Sequence, residues 1–289
     1  MSPRRNARAL VPRERSHGGK RRALGQHFLR DPAVARRIID LVNPTAHDVV
    51  VEIGPGEGAL TAMLAAEAGR VVALEVDAGL AARLRARFDG AGHVEVLDAD
   101  ARSHDYAGLA ALRPDDAGRV LVVGNLPYSV GKPILTALVE AGTAVAARAP
   151  MEMALMLQRE VAERVAAAPG SKVYGSLSVL TQIACEVRLA FGVPPGAFRP
   201  PPQVDSAVLH LRVRPEPPVP IPDPARFRDV VLAAFAQRRK SLGNALAAGL
   251  RIGPERARAL AAAAGIDPTR RAETLSLAEF ARLSVSTVL

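Results

Sequence analysis

The sequence predicts an α/β domain built on a parallel sheet, followed by a small all-helical domain. Three observations carry this. Short apolar runs of strand length recur between helical segments from Val49 to Leu157, the alternation of a parallel sheet with crossover helices. The first four runs each close on Gly, Asn or an acid, residues that end strands and open loops. Beyond a proline-dense stretch at 215–224, only helix signals remain. At 289 residues, 49% of them hydrophobic, the chain is long enough for one large core and one smaller one.

Taken in order, residues 1–22 hold Arg4, Arg5, Arg8, Arg13 and Arg15 and end in Lys20-Arg21-Arg22. They have no apolar centre, which excludes a secretory signal. Arg richness and scarcity of acids are also features of a transit peptide, but Pro and Gly interrupt any amphipathic helix. The expectation is a basic, flexible arm. Residues 23–214 form the sheet domain. Gln26-His27-Phe28-Leu29 reads as a loop with Phe28 in the core. Asp31 as N-cap and Pro32 at the first helical position start a helix carrying Val34, Ile38, Ile39, Leu41 and Val42. Val49–Ile53 is a strand that runs into Gly54-Pro55-Gly56-Glu57-Gly58, and a helix follows to about Ala68. Strands at Val71–Glu75 and Val94–Leu97 flank a helix over 78–88. The fourth strand, Val120–Val123, is stopped by Gly124 and Pro127, before a helix over 132–141 and a fifth strand at Met153–Leu157. Helices at 158–165 and 176–183 enclose a loop at 169–175. Strands at 186–191 and 204–213 enclose a proline-rich, irregular segment that carries Phe198. Residues 215–289 then give helices at 229–236, 241–248, 255–264 and 277–283.

The net charge of +9 favours a polyanionic partner, nucleic acid before an anionic membrane. Basic drift in an Arg- and Ala-rich proteome is the competing explanation. Cys185 is the single cysteine, so no internal disulfide forms, and no Cys/His set has zinc spacing. The expectation is therefore no metal and a reducing, cytoplasmic setting. No apolar run approaches the roughly 20 residues needed to span a bilayer. Arg238-Arg239-Lys240 and Arg270-Arg271, in the helical region, are either RNA backbone contacts or solvated faces.

The chemistry collects at strand ends, where open α/β sheets bind ligands. The glycine turn after the first strand lets a ligand approach the backbone. Its spacing, G-x-G-x-G, is not the G-x-G-x-x-G of dinucleotide binders, which argues against a dehydrogenase. Glu75, about 20 residues later, is placed to accept from ribose hydroxyls. Asp100 is either an acceptor for an adenine amine or a turn aspartate. Asn125-Leu126-Pro127-Tyr128 closes the fourth strand. An exocyclic base amine is a poor nucleophile because its lone pair is delocalised into the ring. The Asn125 side-chain oxygen and the Leu126 carbonyl could accept its two N–H groups and draw that pair out. Pro127 fixes the chain direction, and Tyr128 offers a face for an extruded base. The alternative is a strand end with a turn and a half-buried Tyr. Phe198 either faces the base from the side opposite Tyr128 or plugs the core.

Together these residues resemble the ribosomal RNA adenine dimethyltransferases of the KsgA type. The resemblance runs from about Arg22 to Leu283. It is carried by Gly25-Gln26-His27-Phe28-Leu29, Val51-Glu52-Ile53-Gly54-Pro55-Gly56, Asn125-Leu126-Pro127-Tyr128, Pro169-Gly170-Ser171-Lys172 with Tyr174-Gly175, Phe198 with Val204-Asp205-Ser206-Ala207, and Arg238-Arg239-Lys240-Ser241-Leu242. Six such markers in order are specific where each alone is not.

The resemblance implies a Rossmann-like S-adenosylmethionine methyltransferase sheet with a helical RNA-binding domain. Gly54, Gly56, Glu75, Asp100 and Asn125 would line the cofactor site, with His27 and Leu29 covering it. Glu75 would take the ribose hydroxyls and Asp100 the adenine. Asn125, Leu126, Pro127 and Tyr128 would hold the target adenine, with Phe198 on its other face. His27 stands where many relatives carry Asn. The implied substrate is a pair of adjacent adenosines in the 3′-terminal hairpin of 16S ribosomal RNA, each methylated twice at N6 by a monomer acting on a 30S precursor particle. Two alternatives remain at this level. One is a large-subunit (23S) ribosomal RNA adenine methyltransferase of the antibiotic-resistance type. The other is a non-catalytic RNA-binding assembly factor with the same fold.

Overall fold

The computed structural model describes residues 27–286. The expected basic arm at 1–22, and Gly25-Gln26, lie outside the described residues.

Seven strands form one mixed sheet. They are β2 (Val49–Ile53), β3 (Arg70–Glu75), β4 (Val94–Asp98), β5 (Val120–Asn125), β6 (Met151–Gln158), β7 (Cys185–Val193) and β9 (Ser206–Val213), in the order β4-β3-β2-β5-β6-β9-β7. The first five are parallel, and β9 pairs antiparallel with both β6 and β7. Strand order reverses between β2 and β5, so the ends of those two strands open a crevice at the switch point. Two short strands, β1 (Phe28–Leu29) and β8 (Phe198–Arg199), make a separate antiparallel pair. Neither had been expected to be a strand, because two residues carry no readable period.

The sheet is covered on both faces. Along β2 the side chains alternate. Val49, Val51 and Ile53 join a core with Ile134, Leu135 and Leu138 of helix α4 (Gly131–Ala146), while Val50 joins the opposite core with α1 (Pro32–Val42) and α2 (Thr61–Glu67). Helix α1 begins as expected: the Asp31 carboxylate accepts from the backbone of Ala33 at 2.9 Å and Val34 at 3.3 Å. Helix α4 continues past Ala141, where the sequence suggested a stop. Gly142 packs closely on β9: an added Cβ would lie 3.2 Å from the Val213 side chain. The remaining covering helices are α3 (Ala78–Arg87), α5 (Arg159–Val165) and α6 (Ser176–Ala184).

Four helices follow: α7 (Pro224–Phe235), α8 (Leu242–Gly249), α9 (Pro254–Ala263) and α10 (Leu277–Val285). Helix α7 starts five residues earlier than the sequence suggests, inside the proline-dense stretch at 215–224 that was expected to be the domain boundary. Pro224 is instead the first helical residue, and the Asp223 carboxylate caps the turn by accepting from Arg226 N at 2.9 Å. The buried Phe227, Val231, Leu242, Leu246, Leu260 and Phe280 form a core that also takes in Tyr174, Val179 and Ile183 from the preceding region. The loop at 169–175 is tied to these helices from two sides. Gly170 N donates to the Glu273 carbonyl at 2.7 Å, and the Arg238 guanidinium donates to the carbonyls of Lys172 and Tyr174. Arg238 and Arg270, which pairs with Glu279, thus serve the fold, while Arg239, Lys240 and Arg271 are exposed.

Candidate active site

A cavity opens at the carboxyl ends of β2, β3 and β5. Its wall includes His27, Leu29, Gly54, Gly56, Glu75, Asp100 and the run from Asn125 to Tyr128. The topology explains the convergence: registered parallel strands bring Ile53 beside both Leu74 and Gly124, so their successors share one rim.

The glycine turn needs its glycines. Gly54, Gly56 and Gly58 all adopt positive φ, at 64°, 57° and 82°. A Cβ on Gly56 would also lie 2.7 Å from the Phe28 ring. Gly56 N donates to the Glu75 carboxylate at 3.1 Å, and Asp77 N donates to its other oxygen at 2.9 Å. Glu75 is thereby aimed, with lone pairs left over. Burial raises its carboxyl above the usual range.

Asn125 sits at the end of β5. Its Nδ2 donates to the His27 carbonyl at 2.7 Å. A carbonyl only accepts, so this bond fixes which end of the amide is which and leaves Oδ1 free for a donor in the cavity. Leu126 N donates to Met156 O at 3.0 Å, and Val130 N donates to Pro127 O at 3.0 Å, so the tetrapeptide is tied down at both ends. The Tyr128 hydroxyl bonds the buried Ser206 hydroxyl on β9. Burial pushes that phenol above its ordinary value. The His27 ring lies 5.4 Å from the Tyr128 ring, tilted by 36°. Its Nδ1 donates to the Pro200 carbonyl at 2.8 Å, again because a carbonyl can only accept.

Phe198 is not on the cavity wall. It is 4% exposed, packed with Leu29, Val193 and Val208 in the core beneath α1, and β8 holds it against Leu29. Of the two expectations for this ring, the structure places it as a core plug. The ladder it forms with Leu29 leaves its side chain on the inner face.

The sequence reading missed two residues. Glu52 lines the cavity at 1% exposure, and its Oε2 has no hydrogen-bond partner; the Thr61 hydroxyl, also buried, has none either. Burial pushes the Glu52 carboxyl up to about 7. An acid inside an otherwise apolar buried strand, Val49-Val50-Val51-Glu52-Ile53, is the signal that could have found it. Arg102 is the second, and its guanidinium grips Asp100. Among the described residues no cluster of His, Cys, Asp and Glu could hold a metal ion, and no helix is long and apolar enough to cross a membrane.

A family model described as ribosomal RNA adenine dimethylase matches residues 18–287. The chain belongs to that family. As a ribosomal RNA adenine dimethylase family member it is an S-adenosylmethionine-dependent methyltransferase. It is 45% identical over 264 residues to the ribosomal RNA small subunit methyltransferase A of Xanthomonas axonopodis pv. citri, covering 91% of this chain and 95% of that protein. The same-named protein of Xanthomonas campestris pv. campestris (strain B100) is 44% identical over the same spans. Among solved structures, the 23S rRNA methyltransferase ErmE superposes with a TM-score of 0.63 at 28% identity, over 89% of this chain and 98% of that one. A dimethyladenosine transferase from Plasmodium falciparum shares the fold, with a TM-score of 0.70 at 22% identity over 89% and 96% of the two chains.

The cavity of this dimethylase family member fits that cofactor by its own chemistry. The orphaned Glu52 oxygen is an acceptor waiting for a buried donor, such as an ammonium. Glu75 and Asp100 add acceptors for hydroxyls and an amine, and the glycine turn admits a ligand to the backbone.

Proposed function

We propose that this enzyme dimethylates the N6 amines of two adjacent adenosines in the 3′-terminal hairpin of 16S ribosomal RNA, during small-subunit biogenesis. The observation that carries the reading is the Asn125 amide. With its nitrogen committed to the His27 carbonyl, it presents an oxygen at the lip of the cavity, next to the Tyr128 ring.

S-adenosylmethionine supplies, when bound, a methyl group on a positively charged sulfur. The chain does the rest by positioning. Asn125 Oδ1 and the Leu126 carbonyl accept the two N–H groups of the target amine, which draws its lone pair out of conjugation. Tyr128 stacks on the extruded base. Glu75 accepts from the ribose hydroxyls, Asp100 from the adenine amine of the cofactor, and Glu52 from its ammonium. His27 and Leu29 cover the site and exclude water. The proton leaves to solvent after transfer. Tyr128 is no base at neutral pH, since burial raises its pKa and its hydroxyl is bonded to Ser206.

The substrate in this reading is a precursor of the 30S particle, met by a cytoplasmic monomer. Residues 23–214 serve as the methyltransferase domain and residues 215–289 as the RNA-binding domain, with exposed Arg239, Lys240 and Arg271 toward phosphates. The likeness to a 23S rRNA methyltransferase favours a second reading, large-subunit methylation. The higher identity to small-subunit enzymes, 45% against 28%, supports the first.

The test uses separated ribosomal subunits that lack the modification, incubated with enzyme and labelled donor, and the labelled positions are then mapped. Label on two adjacent adenosines near the 3′ end of the small-subunit RNA is expected. Label confined to the large subunit would overturn the proposal in favour of the second reading, and none on either would overturn both ribosomal substrates.

A further inference from the structure

Asp100 and Arg102 stand two residues apart in the turn after β4, and both line the cavity. The Asp100 carboxylate is saturated. Its Oδ1 accepts from Arg102 N at 2.9 Å and from Arg102 Nε at 3.0 Å. Its Oδ2 accepts from the same Nε at 2.9 Å and from Arg102 Nη2. A carboxylate has about four lone-pair positions, and here one residue engages all of them. An incoming adenine amine needs one of these positions. In this arrangement it obtains one only if the guanidinium lets go.

The pair is built to exchange. Its side chains are 54% and 32% exposed, so water can replace either partner, and exposed pairs of this kind hold only weakly. The other acid of the cavity differs: Glu75 is 3% exposed and aimed by two backbone amides that cannot move away. Of the two acids on the rim, then, one is permanently presented and one is masked by a movable cation.

We propose that Arg102 is an intramolecular competitor for the amine-binding acceptor on Asp100, a positioning residue that sets how tightly, and how selectively, a 6-aminopurine cofactor is held. The inference rests on the assignment of this cavity to S-adenosylmethionine. The mask keeps the carboxylate ionised and oriented between ligands, and a 6-amino group displaces it by offering donors of its own. A purine with a 6-oxo group carries an acceptor at that position in place of the donors, and its one edge donor, N1–H, lies one ring atom away. Its oxygen cannot donate to Asp100, so unmasking the carboxylate brings the 6-oxo group no partner.

The test measures binding of S-adenosylhomocysteine and of S-inosylhomocysteine, its 6-oxo analogue, by titration calorimetry on the full chain and on Arg102→Ala and Arg102→Gln. Both variants are expected to bind the adenosyl ligand about two- to fivefold more tightly, the range a weak exposed pair allows, and to bind the inosyl ligand no more tightly than wild type. Wild-type affinity for the adenosyl ligand should rise between about 0.01 and 1 M salt, as the screening length falls from about 30 to 3 Å, while the variants stay flat. Weaker or unchanged adenosyl binding in both variants would overturn the proposal, as would equal tightening for both ligands. If wild type bound neither ligand, the cofactor assignment would fall first and the role of Arg102 with it. If wild type bound both and the variants behaved alike, only the role of Arg102 would fall.

Discussion

Asn125 Nδ2 donates to the backbone carbonyl of His27 across 98 residues of sequence, at 2.7 Å. This bond joins the end of β5 to the segment that, in the proposed reading, covers the cavity. It also decides which atom of the amide faces inward.

Replacing Asn125 by Ala removes both the acceptor and the tie to His27. We expect kcat to fall by a hundredfold or more, roughly the cost of deleting one preorganised hydrogen-bonding group at a reacting centre. RNA affinity in a filter-binding assay should change by no more than about twofold, because the proposed phosphate contacts are Arg239, Lys240 and Arg271, away from Asn125 in the sequence. Near-normal turnover in this variant would remove Asn125 from the mechanism.

Tyr128 separates into a ring and a hydroxyl. Tyr128→Phe loses only the bond to Ser206 and should keep turnover within about tenfold of wild type. Tyr128→Ala loses the stacking face, worth roughly 1–3 kcal/mol per base, and should lower kcat/KM for RNA by about 10- to 100-fold. Equal losses in the two variants would show that the hydroxyl, not the face, is what matters.

Glu52 gives a pH signature. Its carboxyl is raised from the ordinary range to about 7 by burial, so the folded chain holds a proton that the unfolded chain has already released. Stability therefore falls as pH rises from the ordinary carboxyl range through about 7, and is lower above it. Glu52→Gln removes this titration. Without ligand, its thermal midpoint should gain on wild type from pH 5 to pH 8. A constant difference across that range would mean the carboxyl is not held protonated.

Gly56→Ala should be costly. A left-handed residue with a Cβ costs roughly 1–2 kcal/mol, and this Cβ would press into the Phe28 ring. We expect a thermal midpoint lower by a few degrees and S-adenosylhomocysteine affinity reduced about tenfold or more, read by calorimetry. Unchanged ligand affinity would show that the Phe28 ring and the glycine turn act independently.

Much of this site was legible because it lies where strands end. Gly54, Glu75, Asp100 and Asn125 each follow an apolar run, and a parallel sheet gathers such residues at one rim. Four features were not legible. Glu52 was overlooked because the strand around it is so apolar that the acid reads as an interruption. The β1–β8 pair is too short to show a period, and its partners are far apart in sequence. Phe198 lay in a segment whose prolines fix the backbone without saying which way the ring turns. The early start of α7 was hidden because Pro224 opens a helix as readily as it breaks one.

The cover over the cavity is closed by distant parts of the chain. His27 Nδ1 reaches Pro200 across 173 residues, and Leu29 pairs with Phe198. During synthesis, the glycine turn, Glu75, Asp100 and Asn125 therefore leave the ribosome well before the segment that roofs them can be fastened. A nascent chain halted before Pro200 would carry the floor of the site without its ceiling. In the proposed reading, competence to retain the methyl donor thus comes late in translation, once roughly two-thirds of the polypeptide has emerged.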